Sequence, residues 1–151
     1  MYDRILVPTD GSDVSAAAER AAIAFARALG SEVVVVAVGQ PRLPAASAEA
    51  AMAIDPGLDD AALLAAANEH AQRVATAAAA AGVRCTPIAL LDYSPAEAII
   101  ATAEDRKCDL IFMASHGRRG LSRLLAGSVT QQVLAESRVP VLVMRAAHPA
   151  P

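Results

Sequence analysis

Four short segments of the chain are apolar nearly from end to end, and longer helix-forming segments separate them. The four are RILVPT (4–9), EVVVVAV (32–38), DLIFMA (109–114) and VPVLVM (139–144). Such continuous apolarity is typical of strands that are buried on both faces, as in a parallel sheet covered by helices. A weaker run, VRCTPIALL (83–91), contains Pro87, which cannot donate to a sheet ladder and therefore predicts an edge strand.

The segments between these runs carry helix start and stop signals. Ser12 is placed as an N-cap and Gly30 as a stop, while Ser94, Pro95 and Glu97 combine a capping box with proline at the first helical position. The predicted helices cover 12–30, 59–82, 94–107 and 128–137. Because strands and helices alternate, the sequence predicts a doubly wound α/β fold with right-handed crossovers.

Length and composition fit a single domain over residues 1–151. A hydrophobic content of 55% with a formal net charge of −3 excludes a disordered chain. The acidic balance and the 3% aromatic content disfavour nucleic acid as a partner. No apolar run approaches the roughly 20 residues that span a bilayer. Residues 39–58 contain three prolines, and we expect a mobile loop there, over the carboxyl edge of the sheet.

The N-terminal segment and the two cysteines indicate the cellular compartment. The N-terminal segment MYDRILVPTD has no signal-peptide pattern. Cys85 and Cys108 have neither metal-site spacing nor a CxxC arrangement. We therefore expect a soluble, cytoplasmic protein with two free thiols and no membrane partner.

The segment SHGRRGLSRLLAGSVTQ (115–131) joins the fourth apolar run to the last predicted helix. Loops in this position often bind anions, because a helix N-terminus presents N–H groups without an acceptor and a partial positive charge. Ligands of open α/β sheets lie where the strand order reverses, and PTDGS (8–12) would face the same crevice if the first and fourth strands are neighbours. The simpler alternative is a connector that merely turns the chain. Ser128 and Gln131, three residues apart, are predicted to form a capping box in either case.

Common phosphate-binding motifs are absent. The chain has no GxxxxGK[ST] segment and no GxGxxG after its first strand. TDGSD (9–13) matches only part of the pyrophosphatase-type SGGxDS loop. HGRRGL (116–121) contains the GxxG of KH domains, but a KH loop joins two helices and this segment follows a strand.

A longer pattern matches a known family. MASHGRRGLSRLLAGSVTQQVL (113–134), together with ILVPTDGS (5–12) and RVPVLVM (138–144), resembles the universal stress protein family over essentially the whole chain. The nucleotide signature of that family is G-x2-G-x9-G-[ST]. Gly117, Gly127 and Ser128 match it, whereas Ala114 stands at the first glycine. The resemblance implies a five-stranded parallel sheet of order 3-2-1-4-5 with helices on both faces.

The ATP-binding branch of this family implies roles for positions of this chain. The Asp10 carboxylate would accept hydrogen bonds from ribose hydroxyls beside Pro8 and Thr9, and Val38 would present backbone groups to the adenine edge. The residues that would line the ribose and phosphate path or donate to phosphates are Met113, His116, Gly117, Arg118, Gly127, Ser128, Val129 and Thr130. A Mg or Mn ion bridging the phosphates is compatible with this site, although no carboxylate cluster prepares a metal position.

The resemblance thus implies a regulatory adenine-nucleotide binder of the stress response, with ATP as ligand and no catalytic residues. Two alternatives stay open: a scaffold without nucleotide, to which Ala114 points, and a slow ATP hydrolase. A homodimer is expected through the strand at 139–144, whose edge would otherwise expose N–H and C=O groups. His70 and His148 have no metal-type partners in the sequence, and we interpret both as surface residues.

Overall fold

The computed structural model describes residues 1–42, 56–115 and 127–145 of the chain. Its elements, in chain order, are β1 (Arg4–Thr9), α1 (Asp13–Leu29), β2 (Glu32–Gly39), α2 (Pro56–Ala80), β3 (Cys85–Leu91), α3 (Pro95–Asp105), β4 (Leu110–Ala114), α4 (Ser128–Glu136) and β5 (Val141–Met144). The alternation of strands and helices predicted from the sequence is confirmed.

The five strands form one parallel sheet in the order β3-β2-β1-β4-β5. The predicted order 3-2-1-4-5 is therefore confirmed, and the strand that contains Pro87 lies at an edge. β1 is central: it pairs with β2 on one side and with β4 on the other. The strand order reverses between β1 and β4, which places the predicted ligand crevice at their carboxyl ends.

Helices cover both faces of the sheet. Alternate residues of β1 and β2, Ile5 and Val33 among them, pack with small residues of α1 and α2 on one face. Their neighbours Leu6 and Val34 pack with α3 and α4 on the other face. Both sets are almost fully buried, which explains why these strands show no polar alternation in the sequence.

Most helix ends agree with the sequence. Ser12 caps α1, where its Oγ accepts a hydrogen bond from the Ser15 N–H at 3.1 Å, and α1 ends at Gly30 in the left-handed conformation, with φ +72°. Ser94 caps α3, and its Oγ accepts from the Glu97 N–H at 3.4 Å. Capping side chains and the C-terminal glycine are local signals, so the sequence alone reveals them.

Two boundaries differ from prediction. Gly127, not Ser128, is the N-cap of α4, because the Gln131 N–H donates to the Gly127 carbonyl oxygen at 2.9 Å; the predicted Ser128–Gln131 capping box is wrong. α2 begins at Pro56, inside the predicted loop 39–58, since proline fits the first turn of a helix. Residues 43–55 of that loop lie outside the described residues.

Within the described parts of the chain, no helix is both long enough and apolar enough to cross a membrane.

Candidate functional site

A cleft of about 740 Å³ opens at the carboxyl edge of the sheet and includes the ends of β1 and β4. Every predicted site residue within the described chain lines it: Pro8, Thr9, Asp10, Val38, Met113, Gly127, Ser128, Val129 and Thr130. The remaining predicted residues, His116, Gly117 and Arg118, lie outside the described residues. Segments more than 100 residues apart in the sequence thus meet in one concave site, the usual form of a small-molecule site in an open α/β fold.

The loop between β1 and α1 forms one wall of the cleft. Asp10 Oδ1 accepts a hydrogen bond from the Ser12 N–H at 2.9 Å, which makes an Asx turn. Gly11 has a φ of +76°, a conformation that side chains with a Cβ rarely adopt. Asp10 therefore stabilises the turn, and its half-buried side chain lines the cleft as well.

His70 of α2 lines the same cleft, which the sequence did not predict. Its ring lies directly against the β1–α1 loop, since a Cβ built at Gly11 would come 2.3 Å from His70 Cε1. The interpretation of His70 as a surface residue is therefore wrong, while His148 lies outside the described residues. The available signal was helical spacing: His70 adjoins the buried stripe of Ala67, Ala71 and Val74. Alanines on every face of α2 hide that stripe.

The N-terminus of α4 forms the opposite wall. The Gly127 N–H donates to the Ser115 carbonyl oxygen at 2.6 Å, and the Thr130 hydroxyl donates to the Ala114 carbonyl oxygen at 3.0 Å. These two predicted phosphate donors thus have acceptors within the protein. The first hydrogen bond of the helix runs from the Gln131 N–H to the Gly127 carbonyl oxygen. The N–H groups of the three residues before Gln131, which are Ser128, Val129 and Thr130, therefore have no acceptor within the helix. An anion in the cleft would meet the positive end of the helix there.

Ala114 occupies the last position of β4 and lines the cleft. In the described chain, the non-glycine residues with positive φ are Tyr2 and Lys107, so Ala114 has ordinary strand geometry. The alanine at the first signature position therefore introduces no backbone strain, and its effect on a ligand is confined to one methyl group.

Few titratable side chains line the described part of the cleft. In the part of its lining that the structure describes, the titratable side chains are Asp10, His70 and Tyr93. The described residues contain no group of three or more His, Cys, Asp or Glu side chains that could hold a metal ion. A divalent ion that accompanies phosphates would thus find Asp10 as the carboxylate in this part of the lining.

Comparison with known proteins places these features in a family. Residues 1–145 match the sequence profile of the Universal stress protein family. A universal stress protein of Methanocaldococcus jannaschii, MJ0531, is 34% identical over 96% of this chain and 83% of its own length. One of Thermus aquaticus is 37% identical over 96% of this chain and 100% of its own length.

Solved structures show the same fold. The structure of the hypothetical protein MJ0577, also from Methanocaldococcus jannaschii, superimposes with a TM-score of 0.84 at 30% identity, over 99% of each chain. A universal stress protein in complex with cAMP has a TM-score of 0.66 at 24% identity, over 95% of this chain and 97% of its own. One from Archaeoglobus fulgidus in complex with dAMP has a TM-score of 0.63 at 20% identity, over 94% and 97%.

Proposed function

The chain belongs to the universal stress protein family, and from the geometry of its cleft we propose that it binds an adenine nucleotide, with ATP as the first ligand to test. The observation that carries this proposal is that a carboxylate and a helix N-terminus line opposite walls of one cleft. Asp10 lines one wall, and the other wall is the first turn of α4, whose N–H groups have no acceptor within the helix. A carboxylate suits ribose hydroxyls, and a helix N-terminus suits phosphates.

Adenine as the base is supported by the family. One universal stress protein of known structure is a complex with cAMP and another is a complex with dAMP. In this chain, Val38 at the carboxyl end of β2 and Met113 in β4 supply apolar lining between the two polar walls. Such a lining, with a few oriented polar groups, is typical of a nucleotide pocket.

We further propose that the protein acts by regulated binding rather than by turnover. Phosphoryl transfer needs a positioned nucleophile and groups that stabilise the charge of the transferred phosphate. The described lining holds no lysine or arginine and a single carboxylate, Asp10. On this proposal the protein responds to the concentration of the nucleotide by binding it. A cytoplasmic location fits that role.

Calorimetric titration with ATP tests the proposal, with Gly127→Val as the disabling variant. Gly127 has a φ of −58°, so valine fits the backbone there. Its branched side chain would fill the space that a phosphate needs. Ala135→Val, on the exposed side of the same helix, is the matched control. We expect ATP binding in the wild type and in the control, and none in Gly127→Val.

The outcomes separate the three candidate functions. Mass spectrometry of small molecules released from denatured protein identifies a nucleotide that copurifies. A folded wild-type protein that binds no adenine nucleotide at millimolar concentration would contradict the proposal and support the scaffold. Product formation beyond one turnover per protein would instead support the ATP hydrolase.

A further inference from the structure

A buried carboxylate lies behind the cleft wall, on α1. Glu19 is only 7% exposed, although carboxylates are rarely buried without partners. Its partners are two hydroxyls. Thr9 Oγ1 donates to Glu19 Oε1, and Ser15 Oγ donates to the same oxygen at 2.9 Å. No lysine or arginine among the described residues forms a salt bridge with Glu19.

Both hydroxyls also accept hydrogen bonds from the loop that carries Asp10. The Gly11 N–H donates to Thr9 Oγ1 at 3.2 Å, and the Asp10 N–H donates to Ser15 Oγ in a longer contact of 3.4 Å. A hydroxyl has one proton, so its donation to Glu19 leaves the oxygen lone pairs for these two amides. Ser15 Oγ also lies 3.2 Å from Thr9 Oγ1, but its shorter contact, at 2.9 Å, is with Glu19. The carboxylate thereby sets the direction of both hydroxyls.

We propose that Glu19 is a positioning residue of the nucleotide site. Acting through Thr9 and Ser15, it holds the successive amides of Asp10 and Gly11. This fixes the loop conformation in which the Asp10 carboxylate faces the ribose of the ligand. The inference rests on the proposed nucleotide function for its ligand, but the loop ordering that it describes is measurable without one.

The test compares two substitutions at this position. Glu19→Gln keeps an acceptor oxygen at Oε1, whereas Glu19→Leu removes both acceptors at similar volume. We expect ATP affinity to fall at least about tenfold in Glu19→Leu, the effect of losing about 1.4 kcal/mol of oriented hydrogen bonding. In Glu19→Gln it should stay within about threefold of the wild type. Glu69→Leu, at an exposed position of α2, is the matched control and should change nothing.

A double-mutant cycle with Asp10 separates positioning from general stabilisation. If Glu19 acts through Asp10, the loss caused by Glu19→Leu should largely disappear in an Asp10→Asn background. A purely structural role of Glu19 would give losses that add, and additive losses would overturn the inference.

Amide hydrogen exchange measured by NMR without nucleotide supplies the independent readout. We expect the Asp10 and Gly11 amides to exchange at least about tenfold faster in Glu19→Leu than in the wild type and in Glu19→Gln, at matched global stability. If the wild type binds no ATP, the proposed function fails and this exchange measurement alone decides whether Glu19 orders the loop. Unchanged exchange in folded Glu19→Leu, or unchanged ATP affinity in a protein that binds ATP, overturns the inference.

Should Glu19→Leu fail to fold, Ser15→Ala decides. That variant removes the link between Glu19 and the Asp10 amide, together with the 3.2 Å contact of Ser15 Oγ with Thr9 Oγ1. It keeps the link from Glu19 through Thr9 to the Gly11 amide. Faster exchange at Asp10 than at Gly11, with weaker ATP binding, supports the inference. Wild-type behaviour in both measurements overturns it.

Discussion

The hydroxyl of Thr130, in the first turn of α4, donates a hydrogen bond to the Ala114 carbonyl oxygen at the end of β4, at 3.0 Å. Thr130 is only 3% exposed and Ala114 is half-buried, so this bond is partly shielded from water. With the bond from the Gly127 N–H to the Ser115 carbonyl oxygen, it joins the end of one element to the start of the next. Ser115 and Gly127, the described residues on either side of 116–126, are thus directly hydrogen-bonded to each other.

Thr130→Val is predicted to lower the free energy of unfolding by about 1 kcal/mol. The substitution keeps the shape of the side chain but leaves the Ala114 carbonyl oxygen without its donor. Urea unfolding followed by circular dichroism measures the difference. Thr130→Ser, which keeps the hydroxyl and loses a methyl group, is the comparison. A Val variant as stable as the wild type would show that the bond contributes nothing.

Ala114→Gly is predicted to change ATP affinity by no more than about threefold. A positive φ at this position would have strained alanine by about 1–2 kcal/mol, but Ala114 has ordinary strand geometry. The substitution therefore relieves no strain and removes one methyl group from the cleft. Calorimetry on both proteins measures the ratio.

The same pair of proteins tests the scaffold alternative. If the natural protein binds no ATP at millimolar concentration and Ala114→Gly binds it well, alanine at this position disables the site. The proposed nucleotide function would then be wrong.

The strands and helices were predictable because their signals are local, whereas the strand order was predicted only from the family resemblance. Apolar runs without polar alternation indicate strands that are buried on both faces, and Pro87 indicates an edge strand. The contacts of the side chains around the cleft are less predictable, because several of them join residues that are distant in the sequence. Glu19 lies among alanines of α1, where a charged residue ordinarily indicates a solvated face. The i, i+4 spacing of Ser15 and Glu19 is visible in the sequence, and it places both on one face of α1. The approach of Thr9 from β1 is not visible there, because it depends on how the strand packs against the helix.

Gly11→Ala is predicted to destabilise the fold more than Gly82→Ala. Both glycines have a φ of +76°, so alanine meets similar backbone strain of about 1–2 kcal/mol at each. The two differ in their surroundings. A Cβ at Gly82 meets no atom within 4 Å, whereas one at Gly11 would lie 2.3 Å from His70 Cε1.

A His70→Ala background isolates the clash. We expect the extra destabilisation of Gly11→Ala over Gly82→Ala to vanish there, because the obstructing ring is gone. Thermal unfolding of the single and double variants measures it. Equal effects of the two glycine substitutions in the wild-type background would contradict the contact between His70 and Gly11.

Both cysteines are predicted to react slowly in the folded protein. Burial raises the pKa of the Cys85 thiol and of the Cys108 thiol from 9.0 to about 11. The reactive species is the thiolate, and its fraction at pH 8 falls roughly a hundredfold for a rise of two pKa units. Reaction with a chromogenic disulfide reagent at pH 8 should therefore be at least about a hundredfold faster in denaturant than in buffer.

The same shifts predict a loss of stability in alkali. Because the folded pKa is raised, the folded protein keeps protons that the unfolded chain releases first. The stabilisation is complete below the unfolded pKa and is lost as the pH rises through about 9 to about 11. Cys108→Ala should flatten the pH dependence of the free energy of unfolding across this range. An unchanged slope would contradict the assignment to Cys108.

A homodimer is predicted to form through β5. Within the described fold β5 pairs only with β4. The carbonyl oxygens of Pro140 and Met144 accept from β4 and from Ser115. Since backbone groups alternate in direction along a strand, the N–H and C=O of Val141 and Val143 face the open edge. This edge, with the half-buried side chains of β5, is the surface on which we expect a second copy to pair about a two-fold axis.

Val143→Pro tests that edge directly. Proline removes an N–H that faces outward and leaves the β4–β5 ladder intact, which edge strands tolerate. Leu142→Pro is the contrasting variant, because it removes an N–H that faces β4 and should destabilise the fold itself. Sedimentation at micromolar concentration should show a dimer for the wild type and a folded monomer for Val143→Pro. A wild-type monomer, or a Val143→Pro dimer of undiminished stability, would exclude pairing through this strand.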